Sequence, residues 1–108
     1  MPYSVEYFHP RVKEEIERWP AGVLADYARL VEFLMDFGPH LTMPHSRALG
    51  DGLFELRPRG REGIARALYC YAARQRVVIL HATIKKTRAL SVQDLRTAHQ
   101  RMKEVRDG

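Results

Sequence analysis

The chain has 108 residues, 45% of them apolar and 29% charged, a balance that suits one globular domain over residues 1–108 and excludes a disordered chain. Eighteen Lys and Arg against thirteen Asp and Glu give a formal net charge of +5, which points to an anionic partner, either nucleic acid or an acidic protein. The lone Cys70 excludes an internal disulfide, and no apolar run reaches membrane-spanning length, so the expectation is a protein of a reducing cytoplasm with no membrane partner.

The opening MPYSVEYFHP lacks the charged-then-apolar layout of a signal peptide. Within it, Ser4 to Phe8 alternates and is rich in strand formers, so it reads as a short first strand stopped by Pro10. Pro10 then suits the first position of a helix. Val12, Ile16 and Trp19 recur at helical spacing, and Pro20 closes that helix. A second helix is expected from about Ala21 to Phe37, with Val23, Leu24, Tyr27, Leu30, Val31 and Leu34 on one stripe and Gly38-Pro39 ending it. On such stripes Trp19 and Tyr27 are core contacts rather than stacking platforms. Up to Gly38 seven acids stand against four bases; beyond it bases are in clear excess, in RPRGREGIAR, IKKTR and the last helix.

The second half changes period. After the loop PHLTMPHS and a short stretch around Arg47–Leu49 come three strand-like runs, Leu53–Arg57, Ile64–Ala72 and Val77–Ile84. Their tight connections favour antiparallel neighbours. A last helix begins at Ser91, where S-V-Q-D gives a capping box with Asp94, and Val92, Leu95, Met102 and Val105 form its stripe. The order predicts an α+β fold: an N-terminal strand and two helices, then a three- to four-stranded twisted antiparallel sheet and a C-terminal helix. Helices packed mainly on one face would leave the other as a shallow basic surface.

Strand alternation places Leu53, Glu55 and Arg57 on one face and Phe54 and Leu56 on the other. Arg66 shares its parity with Ile64, Leu68 and Cys70, opposite Tyr69 and Tyr71. His81, Thr83 and Lys85 align with Val77 and Ile79. A guanidinium inside an apolar strand needs a partner: either Glu55 from a neighbouring strand, or the oxygens of a phosphate. Lys85 and Lys86 end the last strand, either as solvated caps or as a cationic grip. His45 and His40 lie in a Pro-flanked loop, and His81 lies in an apolar strand that suits a hydrogen-bonded core histidine. No zinc-ligand spacing, phosphate-binding glycine loop, nucleophile elbow or dinucleotide fingerprint is present.

The segments PHSRALGDGLFELR, ARALYCY, VVILHATIKKTRAL and SVQDLRTAHQRM together resemble the RelE/ParE toxin superfamily, closest to the branch of HigB-like toxins and phage-derived host-inhibition proteins. The resemblance covers roughly residues 44 to 105. It implies a small RelE-like toxin of a type II toxin–antitoxin system, held in a hetero-oligomer by a helix-turn-helix, HigA-like antitoxin. It further implies a metal-independent endoribonuclease acting on mRNA, usually on the ribosome, with no cofactor. ParE-like relatives share the fold but inhibit DNA gyrase without catalysis, and that is the alternative. The resemblance carries the family's strand arginine onto Arg66 and its basic strand-end residues onto Lys85 and Lys86; Arg57 and His81 complete the candidate catalytic set, with Arg59, Arg61, Arg88 and His45 as candidate RNA contacts. The RNA 2′-hydroxyl would attack the adjacent phosphate, and His81, His45 or Lys85 would move the proton.

Overall fold

The computed structural model describes residues 2–85 and 89–108, with Lys85 in its backbone alone. In chain order the elements are β1 (Ser4–Tyr7), α1 (Pro10–Glu17), α2 (Ala21–Phe37), β2 (Ser46–Gly50), β3 (Leu53–Leu56), β4 (Arg59–Gly60), β5 (Gly63–Ala72), β6 (Arg76–Lys85) and α3 (Val92–Asp107). A single 3-10 turn over Gly38–His40 follows α2. No helix among the described residues is long and apolar enough to cross a membrane.

The local chemistry fixes the helix ends. His9 caps α1, its Nδ1 accepting the Arg11 backbone N–H at 3.1 Å, and Pro10 takes the first position, where its missing N–H costs nothing. α2 starts at a proline with no side-chain cap, and the Glu62 carboxylate reaches over to accept the Gly22 N–H at 3.3 Å. The hairpin that delivers Glu62 lies so close that a Cβ on Gly60 would sit 2.7 Å from the backbone of Gly22 and Val23. Only glycine allows that approach. At α3 the capping box is complete: Ser91 Oγ accepts the Asp94 N–H at 3.0 Å and Asp94 accepts the Ser91 N–H at 3.4 Å.

The strands form one sheet in the order β1-β6-β5-β3-β2, with β4 pairing beside the start of β5. β2, β3, β5 and β6 are antiparallel neighbours, as expected, while β1 joins the far edge parallel to β6 because two helices separate them in the chain. The stretch around Arg47 is a full edge strand, and the two-residue β4 was not anticipated from the sequence. Ala73-Arg74-Gln75 makes the β5–β6 turn with Arg74 and Gln75 at φ 64° and 57°.

Alternation predicts the faces of β3 and β5 correctly but fails on β6. Leu68 pairs with His81, yet its neighbour Tyr69 pairs with Ile79, so Leu80 is an extra, bulged residue. The bulge resets the parity. Val77 and Ile79 point to the α1/α2 core, whereas His81 lies opposite Leu68 and reaches Asp94 of α3.

Apolar cores flank the sheet on both faces. On one, Val12, Ile16, Trp19, Val23, Tyr27 and Leu34 from α1, α2 and their junction pack on Leu56, Ala67, Tyr69 and Ile79. On the other, Ala98 and Met102 of α3 cover Leu53, Leu68, Cys70, Val78 and Leu80. The expected open face is therefore covered over its middle, because those five side chains need a lid. Val92 does not join the α3 stripe; it stands 71% exposed at the first helical position, beyond the apolar patch.

Candidate active site

What α3 leaves uncovered on its side of the sheet is a cleft of about 330 Å³, walled by Arg47, Leu49, Glu55, Arg57, Arg66 and Leu95. The register explains the grouping. Glu55 on β3 stands directly across from Arg47 on β2 and from Leu68 on β5. Arg66 precedes Leu68 by two residues, and Arg57 follows Glu55 by two, so all four charged side chains share one face.

Glu55 and Arg66 are each 2% exposed, and Arg66 Nε donates to Glu55 Oε2 at 3.1 Å. Arg57 Nε lies 3.9 Å from the other carboxylate oxygen and has no hydrogen-bond partner among the described residues. Burial pushes the Glu55 carboxyl above its ordinary value, against the opposing pull of Arg66, Arg57 and Arg47. A carboxylate with a raised proton affinity, set among three guanidinium groups, can accept a proton and can neighbour a phosphate at the same time.

Tyr69 supports this arrangement from beneath. It is fully buried on the opposite face of β5, its hydroxyl hydrogen-bonds Ser46 Oγ at the start of the edge strand, and its ring stacks on Phe54 at 5.6 Å. The strand carrying Arg47 is thereby anchored to the strand carrying Arg66.

The remaining sequence candidates fall in several places. His81 is 22% exposed and bonded through Nε2 to Asp94 Oδ1 at 2.8 Å; it opens onto a separate depression beside Arg11, Arg18 and Arg101. Its partner Asp94 also closes the α3 capping box, so this histidine tethers β6 to the start of α3. His45 is half-buried against Phe33, with ring centroids 5.1 Å apart. It lines a second hollow with Arg29, Arg57 and Arg59. Arg59 and Arg61 are exposed, and the Arg59 N–H donates to Asp26 Oδ2 at 2.8 Å. Burial pushes Asp26 up, but the Arg59 N–H and the Arg29 guanidinium outweigh it and hold the carboxyl below its usual value. Lys86 and Arg88 lie outside the described residues, and Lys85 is described in its backbone alone, as the end of β6.

The sequence reasoning missed one member of the cleft. Arg47 was passed over because its strand is short and exposed, although its place opposite the Phe-Glu-Leu-Arg run was a usable signal. Glu55 is expected from the sequence to pair with Arg66 or Arg57, and the 3.1 Å contact with Arg66 bears that out; its place in the cleft wall is what the strand pairing adds.

A mixed sheet with a helical pair on one face, a lone helix on the other and an arginine-lined cleft beside that helix defines a small α+β protein. The family model for the phage derived protein Gp49-like family (DUF891) matches residues 14–103, and the chain belongs to that family, which is associated with RelE-like toxins. A comparison with curated proteins finds no match.

Proposed function

We propose that this chain is the toxin of a type II toxin–antitoxin pair and cleaves mRNA without a metal, in the cleft between β2, β3, β5 and α3. The observation that carries the reading is Glu55, a buried carboxylate of raised proton affinity facing the cleft among Arg47, Arg57 and Arg66. In this chemistry the nucleophile belongs to the substrate. The 2′-hydroxyl of a ribose attacks the adjacent phosphorus, the new 2′-O–P bond closes a cyclic phosphate, and the P–O5′ bond breaks. Glu55 takes the proton of the 2′-hydroxyl, a task suited to a carboxylate whose proton affinity burial has raised. Arg57, Arg66 and Arg47 hold the phosphate oxygens and offset the charge that builds in the transition state. The departing 5′-oxygen takes a proton from water, and, as the family resemblance implies, Lys85 and Lys86 would support the leaving group.

Glu55→Gln tests the scheme because it keeps the size and most hydrogen bonds of the carboxylate while removing the base. RNA 5′ ends are mapped after brief induction of wild type and variant. The expected result is loss of new 5′-hydroxyl ends, by about 10²–10⁴-fold in cleavage rate. Undiminished cleavage by a folded Glu55→Gln protein would overturn the assignment.

One observation favours the second reading, a gyrase-binding inhibitor without catalysis: the Arg66 guanidinium already has an internal carboxylate at 3.1 Å. In that case induction changes DNA supercoiling and leaves messenger ends intact. An antitoxin partner follows from either reading.

A further inference from the structure

The hollow beside the cleft has a chemistry of its own. It has a volume of about 340 Å³, and its wall combines Leu30, Met43 and Pro44 with His45, Arg57 and Arg59. That volume is at the lower end of the roughly 300–1,000 Å³ of ligand pockets. Flat groups are already held in place there. The Arg29 guanidinium lies 5.4 Å over the Phe33 ring, and its Nε and Nη2 both donate to Asp26 Oδ1, at 2.9 and 2.8 Å. His45 stands edge-on to the same Phe33 ring. Arg57 lines both the hollow and the cleft, so the two share one guanidinium.

We infer that this hollow is a subsite for one unstacked base of single-stranded RNA, next to the phosphodiester held in the cleft; the inference rests on the reading of the cleft as an RNA site. A bare phosphate does not fit, because it gains nothing from Leu30, Met43 and Pro44 and meets the Asp26 carboxylate. A neutral heteroaromatic ring does fit. Its faces take the apolar and planar groups, its edge N–H groups find a carboxylate acceptor, and its sugar–phosphate lies towards the arginines. A base within a duplex is stacked and cannot enter, so the site selects single strands. Met43, 63% exposed beside the hollow, is the kind of pliable apolar side chain that adapts to different bases.

The test uses a DNA pentanucleotide, which lacks the 2′-hydroxyl and cannot be cleaved, and a set in which each base in turn is replaced by an abasic site. Binding to the full chain is followed by fluorescence anisotropy. For wild type, one abasic position is expected to weaken binding about tenfold, the scale of a single base–aromatic stack. His45→Ala should lose about the same factor and flatten the abasic profile, while His45→Phe, which keeps a ring, should retain both affinity and profile. Circular dichroism checks that each variant is folded. A wild-type abasic profile that is flat, one that persists unchanged in His45→Ala, or equal binding of the paired duplex would overturn the subsite. The nuclease reading is judged separately by the RNA 5′ ends with Glu55→Gln, so either assignment can fail while the other stands.

Discussion

The two faces of the sheet solve different problems. Under α1 and α2 the buried side chains are mostly apolar or aromatic: Tyr7 and Tyr27 share a hydrogen bond of 2.9 Å, Tyr69 bonds Ser46, and the buried Trp19 Nε1 has no partner among the described residues. Burial pushes the Tyr27 and Tyr71 hydroxyls well above their ordinary pKa, so both stay protonated far into the alkaline range. Under α3 the apolar patch is smaller, and at its edge Glu55 and Arg66 are as buried as any leucine. A buried ion pair gives little net stability, since desolvation of both charges offsets their attraction. The first face holds the molecule together; the second gives up part of its core to keep a charged cleft.

Trp19→Ala should be among the largest stability losses. The side chain is 4% exposed and meets Tyr27 edge-on at 5.6 Å, so its removal should cost about 3–5 kcal/mol. Urea unfolding followed by far-ultraviolet circular dichroism measures it. Arg66→Met probes the other face, where the loss has a different origin. It removes the closest guanidinium from buried Glu55 and leaves only Arg57, at 3.9 Å, and Arg47 to offset its charge, with an expected cost of up to about 3–5 kcal/mol. The double change Arg66→Met/Glu55→Gln should restore most of that stability and none of the cleavage. A double variant as unstable as the single one would mean that the pair is part of the core rather than a component of the cleft.

The contrast between the faces was only partly legible in the sequence. The apolar spacing of Val12, Ile16, Val23, Tyr27, Leu30 and Leu34 predicts the helical face because packing there depends on periodicity alone. Alternation within β3 and β5 likewise placed Glu55 and Arg66 on one side. What it did not reveal depends on pairing between strands. The bulge at Leu80, which turns His81 towards Asp94 and away from the Val77/Ile79 side, arises from the β5–β6 register and leaves no mark in VVILHATI. The cover over the second face was hidden for a related reason. Leu53, Leu68, Cys70, Val78 and Leu80 become one patch only after three strands are aligned. Of the cleft, Arg66 and Arg57 were found from their strand positions, while Arg47 needed the β2–β3 pairing to join them.

The smallest effects, and the sharpest contrast, come from pH. Asp26 of α2 is held below its ordinary pKa, so the unfolded chain binds its proton more tightly than the folded one. Its contribution to stability is present above the ordinary carboxylate pKa of about 4 and is lost as the pH falls through the folded-state value. Glu55 has the opposite sign. Its pKa is raised on folding, so the folded state holds the proton more tightly, and its contribution is present below the ordinary value and lost as the pH rises through the folded one. Urea midpoints measured across the acid range should therefore respond in opposite directions. Asp26→Asn should make stability fall less steeply on acidification than in wild type, and Glu55→Gln should make it fall more steeply. If Glu55→Gln instead flattens the acid limb as Asp26→Asn does, the arginines dominate over burial at Glu55, its folded pKa lies low, and the group is a poor base for the 2′-hydroxyl.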